Sequence, residues 1–292
     1  MEKIRAAIEK ARAERELRAE MREREFAAEG GESRSGGRRR ATPLEIEEER
    51  SDSAESAWQR LPRFEPARDL ARRNRLVGLA GGADAVPFEV LRTRLLKSVV
   101  TNNWRRIAIT SPTAGCGKTT TCLNLAFSLS RLPEVKTLLI EADMRRPAMR
   151  GLLGLEAAHE ISAVLAGDAQ AEDHLVRMQS NLAVGTNAQP VMNPAEILMG
   201  SKVGEKITEV ELAYEPTLII FDMPPMLAGD DTLGFLNQVD AVMLIGAVET
   251  TSIKEIDICE RQIAEHTNVL GVVLNKCRYA EHGQEYGYYD YA

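Results

Sequence analysis

The feature that most constrains this chain is a short strand, a glycine-containing loop and a helix in direct succession. Together they read AITSPTAGCGKTTTCLNLAFSL (108–129). In such a loop the backbone N–H groups and the helix N-terminus face phosphate oxygens, while a Lys-Thr pair reaches the β/γ-phosphates and Mg²⁺. Pro112 stands where the usual GxxxxGK[ST] pattern has its first glycine. We therefore predict a nucleotide phosphate site formed by Gly115, Cys116, Gly117, Lys118, Thr119 and Thr120.

Short apolar runs alternate with helical stretches after residue 105. Most of the runs are almost continuously apolar, which is typical of strands covered on both faces in a parallel sheet. This alternation predicts an α/β fold with a doubly wound, mostly parallel sheet and ligands at the carboxyl ends of its strands. The predicted strands are 106–110, 136–142, 181–186, 217–222, 240–247 and 269–275, and the predicted helices are 117–131, 157–166, 194–213 and 252–266. Asn193, Pro194 and Glu196 predict a capping box for the third helix.

Acidic residues end two of these predicted strands. The stretch LLIEADMRRP carries Glu141, Asp143 and Arg145, and LIIFDMPP carries Asp222. Loops at the carboxyl ends of neighbouring parallel strands converge, so these side chains are expected near Lys118. Each carboxylate alone could be a strand-end turn residue, but their combination with the glycine-containing loop favours a nucleotide site with a metal ion.

The apolar residues are concentrated in the second part of the chain. Of 292 residues, 44% are hydrophobic, which is enough for a large α/β domain. Residues 1–80 are rich in Arg, Glu, Ala, Ser and Gly. We predict a charged, largely disordered N-terminal extension over 1–80, a globular domain over 81–277 and a tail over 278–292. Residues 2–27 are expected to form a solvated or partly disordered helix.

Charge and cysteine usage narrow the function classes. The formal net charge of −7 argues against a general nucleic-acid binder. The four cysteines show neither CxxC nor metal-ligand spacing, so a zinc site is not expected and a reducing cytosol is the simplest setting.

The N-terminus lacks the apolar core of a signal peptide, and no stretch reaches the ~18 apolar residues of a membrane span. We expect a cytoplasmic protein that reaches a membrane only through a partner.

Five of the six tyrosines lie at the C-terminal end, around the stretch EYGYYDYA. They are Tyr279, Tyr286, Tyr288, Tyr289 and Tyr291. Their neighbours are mainly Gly, Asp and Glu, so the rings have almost no aliphatic residues to pack against. A stacking platform for single-stranded nucleic acid would place Lys or Arg among the rings, and the acidic tail disfavours it.

The motifs, taken in order, resemble those of the bacterial tyrosine kinases of capsule and exopolysaccharide synthesis. The matching segments are SPTxGxGKTT, LLIxADxRRP and IIxDxPP, followed by a C-terminal tyrosine cluster, and the resemblance covers roughly residues 75–292. It implies a P-loop NTPase fold with a deviant Walker A motif, similar to MinD. It also implies the split form of these kinases, in which the kinase is not fused to its transmembrane regulator.

The resemblance implies a role for each motif residue. Lys118 and Thr119 correspond to Walker A, Asp222 to Walker B, and Asp143 with Arg145 to Walker A′, while Glu141 stands where the family usually has Asp. The implied catalytic residues are Lys118, Glu141, Asp143 and Asp222. Arg145 and Asn275 would contact the nucleotide, Thr119, Asp143 and Asp222 would hold Mg²⁺, and Arg92 would contact a neighbouring subunit.

The implied activity is an ATP- and Mg²⁺-dependent autokinase that phosphorylates the tail tyrosines, in a neighbouring copy, and regulates polysaccharide polymerisation and export. The implied partners are a membrane-spanning polysaccharide co-polymerase that activates the kinase at the inner face of the cytoplasmic membrane, and a tyrosine phosphatase. Two alternatives stay open. One is a switch ATPase like those of division-site selection and plasmid partition, although Thr113 replaces their signature lysine. The other is a nucleotide-gated scaffold that has lost catalysis.

Overall fold

Seven strands form one sheet in the computed structural model, which describes residues 43–277, with side chains from residue 52 onward. The order across the sheet is β3-β4-β2-β5-β1-β6-β7, and β3 runs antiparallel to β4 while the other pairs are parallel. The strands are Arg106–Thr110 (β1), Thr137–Glu141 (β2), Leu175–Gln179 (β3), Leu182–Gly185 (β4), Leu218–Asp222 (β5), Ala241–Ala247 (β6) and Asn268–Asn275 (β7). The predicted helix in 2–27 and the five tail tyrosines lie outside the described residues.

Helices connect the strands and cover the sheet. They are Pro43–Arg60 (α1), Arg68–Arg73 (α2), Val77–Ala80 (α3), Val86–Asn102 (α4), Lys118–Ser130 (α5), Met149–Leu153 (α6), Ile161–Ala166 (α7), Ala171–His174 (α8), Pro194–Leu198 (α9), Ser201–Tyr214 (α10), Asp231–Phe235 (α11) and Ile253–Ala264 (α12). Three single 3₁₀ turns lie at Ala83–Ala85, Met226–Ala228 and Leu236–Gln238.

The two faces of the sheet belong to separate apolar layers. Leu139 packs in the layer that includes α5, whereas its neighbour Leu138 packs in the layer that includes α7 and α10. Successive side chains of a strand point to opposite faces, so a strand between two layers needs apolar residues at every position. This explains the continuous apolar runs and confirms the predicted doubly wound, mostly parallel α/β fold.

Three local predictions require correction. Strand β3 was not predicted, because its Arg177 and Gln179 break the apolar run. The helix predicted over 194–213 is two helices, α9 and α10, separated at Met199 and Gly200. The helix start at Pro194 is correct, but the Asn193 side chain makes no capping bond; the described capping box is that of Ser252 and Glu255 at α12.

The globular domain begins before residue 81, so the predicted boundary is also corrected. Ala54, Ala57 and Trp58 of α1 are buried, and their spacing of three and four residues from Ala54 places them on one helical face; Leu61, just after the helix, is buried too. Trp58 Nε1 donates to the Tyr214 carbonyl of α10 at 2.6 Å. The charged residues of this segment concealed a narrow apolar stripe that packs on the domain. Among residues 43–277, no helix is long and apolar enough to cross a membrane.

We expect Trp58→Ala to lower the free energy of unfolding by about 3–5 kcal/mol, because it empties a fully buried site. Urea denaturation of the full chain measures this change. Gln59→Ala is the matched control, since Gln59 is exposed on the same helix. Equal unfolding midpoints for the two variants would show that α1 does not pack on the domain.

Candidate nucleotide-binding site

The glycine-containing loop joins β1 to α5 at the carboxyl edge of the sheet. Gly115 and Gly117 adopt left-handed backbone angles, with φ of +83° and +90°. A Cβ on Gly117 would lie 2.3 Å from Asn275 Nδ2, so a side chain here would displace the Asn275 amide from the loop. The Pro112 carbonyl accepts the Leu227 N–H at 3.0 Å and joins the loop to the segment after β5. Pro112 therefore does not prevent the loop from forming.

Lys118 begins α5 and makes the central ion pair of the site. Its Nζ lies 2.6 Å from Asp143 Oδ2, and the two side chains are 13% and 5% exposed. Burial alone would lower the pKa of Lys118, but the carboxylates of Asp222 and Asp143 outweigh burial and raise the pKa. Lys118 is therefore a charged ammonium that is paired with Asp143 and is further stabilised by the charge of Asp222.

Asp222 ends β5 beneath this pair and is fully buried. Cys122 Sγ lies 3.6 Å from Asp222 Oδ1, while Oδ2 has no hydrogen-bond partner. Burial raises the pKa of Asp222 to about 6, although the Lys118 charge opposes the shift. The side chain of Thr119, in the first turn of α5, also lies beside Asp222.

These residues fit a bound Mg²⁺. A buried carboxylate oxygen without a partner is costly, and Mg²⁺ takes oxygen ligands of this kind. Asp222, Asp143 and the Thr119 hydroxyl are the available oxygen donors. In the described part of the chain no three His, Cys, Asp or Glu side chains form a cluster that could hold a metal. Phosphate oxygens and water would therefore complete the ligand set, as is usual for Mg²⁺.

Glu141 occupies a different environment from the other two carboxylates. Its Oε1 accepts the Ala148 and Met149 N–H groups at 2.6 and 2.7 Å, and its Oε2 accepts the Asn187 N–H at 2.8 Å. Burial raises the pKa of Glu141 to about 7 against the effect of these donors. The predicted catalytic role of Glu141 would need a carboxylate oxygen that is available to a substrate, whereas both of its oxygens accept backbone N–H groups. Glu141 thus joins the end of β2 to the start of α6, across the base of the loop that carries Asp143.

Asn187 was not singled out by the sequence, yet it completes this network. Its side-chain Nδ2 donates to the Glu141 carbonyl at 2.9 Å, and its Oδ1 accepts the Ser162 N–H of α7 at 2.9 Å. Asn187 follows β4 in the same way that Asp143 follows β2, so a polar residue after a predicted strand was the available signal.

Arg145 was predicted to contact the nucleotide, but the structure pairs it with Asp231. Arg145 Nε and Nη2 lie 2.5 and 3.0 Å from the two carboxylate oxygens of Asp231. Asp231, the first residue of α11, was not among the site residues predicted from the sequence. The segment GDD after the Asp222 motif was its only signal, and nothing in that segment indicates which cation it meets.

Asn275, at the end of β7, contacts the phosphate loop itself. Its Nδ2 donates to the Cys116 carbonyl at 2.8 Å. Cys116 is buried, and its Sγ lies 3.3 Å from the Thr113 carbonyl and 3.5 Å from Thr251 Oγ1. Thr120 lies beside Lys118 and Thr119 in the first turn of α5 and is half-buried. The predicted loop residues are thus brought together.

Arg92 lies on α4, away from the loop. Its Nη1 donates to the Ser128 carbonyl of α5 at 2.8 Å, so in the single chain it joins two helices. Arg92 Nε is buried without a hydrogen-bond partner. The role of Arg92 in contacting a neighbouring subunit stays a prediction.

Comparison with known proteins identifies the class of protein to which this chain belongs. Residues 107–287 match the family model for the CobQ/CobB/MinD/ParA nucleotide binding domain. The loop geometry, the parallel sheet and this match together define a P-loop nucleotide-binding protein.

Individual relatives identify the family within this class of nucleotide-binding proteins. Tyrosine-protein kinase YwqD of Bacillus subtilis is 30% identical over 204 residues, which cover 69% of this chain and 84% of YwqD. The putative tyrosine-protein kinase AmsA of Erwinia amylovora is 31% identical over 206 residues, covering 69% of this chain but 28% of AmsA. The kinase domain of the Escherichia coli tyrosine kinase ETK superposes with a TM-score of 0.64 at 25% identity, covering 73% of this chain and 84% of that domain. The chain belongs to the bacterial tyrosine kinase family.

We expect Glu141→Ala to lower the free energy of unfolding by about 2 kcal/mol or more, because it leaves buried backbone N–H groups without acceptors. Urea denaturation measures the loss, with Glu205→Ala, an exposed glutamate of α10, as the control. A loss no larger than that of the control would contradict the anchoring role of Glu141.

Proposed function

We propose that this chain is an ATP-dependent protein-tyrosine autokinase that uses Mg²⁺ and phosphorylates the tyrosines of its own C-terminal tail. The observation that carries the proposal is the Lys118–Asp143 ion pair beside the unpartnered oxygen of Asp222. It lies at the phosphate loop of a chain that belongs to the bacterial tyrosine kinase family.

ATP binding would use the loop as it stands. The backbone N–H groups around Gly115 and Gly117 and the N-terminus of α5 would face the phosphates. Lys118 would then share its charge between Asp143 and the β/γ-phosphate oxygens. When bound, Mg²⁺ would neutralise phosphate charge, and Thr119, Asp143 and Asp222 would hold it.

The proton of the acceptor tyrosine needs a carboxylate nearby. A phenol with a pKa near 10 is a poor nucleophile at neutral pH until a base accepts or positions its proton. Asp143 is the candidate that lies at Lys118, whereas Glu141 binds the base of its loop. We therefore assign the positioning of the acceptor hydroxyl to Asp143 and the support of its loop to Glu141.

The proposed acceptors are the five tail tyrosines, which lie outside the described residues. The described chain reaches Cys277, two residues after Asn275, whose side chain contacts the phosphate loop. The last described residues therefore lie next to the site. We propose that each tail enters the site of a neighbouring copy, with Arg92 at the contact between subunits.

Lys118→Met is expected to abolish phosphotyrosine on the tail, because it removes the cation that binds the β/γ-phosphates. Mass-spectrometric mapping after incubation with Mg·ATP, with and without the cytoplasmic segment of the co-polymerase, measures this. Lys254→Met is the control, since Lys254 is exposed on α12. Full tail phosphorylation by Lys118→Met would refute the site.

Phosphorylation is expected to dissociate the oligomer. Each phosphotyrosine adds about −1.5 to −2, so five would add on the order of −8 to −10, which exceeds the chain's formal net charge of −7. Light scattering after ATP treatment should show a lower mass for the wild type than for a variant with the five tail tyrosines changed to Phe. The same mass for both would defeat this regulation.

We further propose a membrane-spanning polysaccharide co-polymerase as the activator at the inner face of the cytoplasmic membrane, and a tyrosine phosphatase that resets the tail. The activity would regulate exopolysaccharide or capsule polymerisation and export. The support for these partners is the resemblance of the motifs and the family membership. This chain spans less than a third of AmsA, so the activities of that longer protein remain proposals here.

A nucleotide-gated scaffold is the second candidate, favoured by the engagement of Glu141 with backbone donors. In a scaffold, ATP would bind without phosphoryl transfer. If the activated wild type binds ATP but incorporates no phosphate, the scaffold replaces the kinase. A switch ATPase would instead release phosphate without labelling the tail.

A further inference from the structure

The Arg145–Asp231 pair joins the two acidic loops of the site. Arg145 lies in the loop between β2 and α6, two residues after Asp143. Asp231 begins α11, shortly after the β5 strand that ends in Asp222. The contact is a fork, with two N–H groups of one guanidinium on both oxygens of one carboxylate. Such bidentate pairs fix orientation as well as distance.

The two partners differ in their surroundings. The Asp231 side chain is 3% exposed, whereas that of Arg145 is 47% exposed. A buried carboxylate needs a partner, so Asp231 holds Arg145 more firmly than two exposed charges would hold each other. Asp230, the preceding residue, is exposed and has no such bond. The pair is therefore specific to one of two adjacent aspartates.

The Asp231 side of the contact is anchored to the sheet. Thr232 Oγ1 donates to the Pro224 carbonyl at 2.8 Å, and Thr110 Oγ1 of β1 donates to the same carbonyl at 2.7 Å. The start of α11 is thus held against the strand that leads into the phosphate loop.

Arg145 lies at the tip of the loop between β2 and α6. Hydrogen bonds hold this loop both at its base, where it joins the two elements, and at its tip. Glu141 closes the base through Ala148 and Met149. The Arg146 N–H donates to Asp143 Oδ1 at 3.2 Å within the tip. The bidentate Arg145–Asp231 pair holds this tip against α11. The other carboxylate oxygen of Asp143, Oδ2, forms the ion pair with Lys118.

We infer that Asp231 is a positioning residue for phosphoryl transfer, which holds Arg145 so that Asp143 stays in place at Lys118. The inference rests on the proposed kinase function and assigns Arg145 a different role from nucleotide contact. The guanidinium N–H groups that could bind a phosphate are hydrogen-bonded to Asp231. Arg145 therefore acts on Asp143 through the loop that both residues share. A displacement of a reacting group by about 1 Å costs on the order of 10²-fold in rate.

The first test is Asp231→Asn in the full chain, with Asp230→Asn as the matched control. Tail phosphorylation is measured at varied ATP with the activating partner present. We expect kcat to fall by about 10- to 100-fold for Asp231→Asn, with KM for ATP changed less than about threefold because the phosphate loop is intact. The control should keep wild-type values. Wild-type kcat for Asp231→Asn, or a loss confined to KM, would overturn the inference.

A double-mutant cycle tests whether the two residues act as one unit. Arg145→Lys keeps the charge but cannot form the fork. We expect it to lose kcat to the same extent as Asp231→Asn, and the double variant to lose no more than either single variant. Losses that multiply in the double variant would show that Arg145 and Asp231 act separately, against the inference.

Amide hydrogen exchange gives a readout that needs no kinase activity. In Asp231→Asn, amides of residues 142–148 should exchange faster than in the wild type and in Asp230→Asn, while those of α10 are unchanged. Unchanged exchange in 142–148 would overturn the inference even in an active kinase. Faster exchange together with a wild type that never phosphorylates its tail would instead retain the contact and reject the kinase function.

Discussion

The ion pair between Lys118 and Asp143 is the interaction on which the site depends. It joins the first turn of α5 to the loop after β2, and Asp222 at the end of β5 lies beneath it. Such a buried group of charges is costly unless every member has a partner. The two carboxylates keep Lys118 charged, and the free oxygen of Asp222 leaves one position for a cation. The same arrangement would therefore serve both of the proposed ligands, phosphate and Mg²⁺.

The three carboxylates of the site have separate tasks because their surroundings differ. Asp143 is paired with a cation, Asp222 is buried with one oxygen free, and Glu141 is satisfied by backbone N–H groups. The Glu141 carboxylate reaches the first turn of α6, where it accepts the Ala148 and Met149 N–H groups. Support of this kind holds reactive groups in place before a ligand binds. Glu141 supplies it at the base of the loop after β2, and the Arg145–Asp231 pair supplies it at the tip.

Most of the sheet could be predicted from the sequence, because strands buried on both faces must be apolar at nearly every position. The edge strand β3 escaped prediction, since an edge strand tolerates the polar residues Arg177 and Gln179. Helix α1 escaped for a related reason. Ala54, Ala57 and Trp58 form a narrow buried stripe, and the charged remainder of the helix has the composition of a disordered segment.

The sequence by itself determined the phosphate loop, the order of the motifs along the chain and the acidic residues at the strand ends. Those features follow from local chemistry: a tight turn needs glycine, and a parallel sheet gathers its carboxyl ends at one edge. The tertiary structure decided which polar groups meet. Glu141 meets Asn187, 46 positions away, and Arg145 meets Asp231, 86 positions away. Partners so distant in the chain are selected by packing between elements, because spacing along the sequence carries no information about distances across the fold.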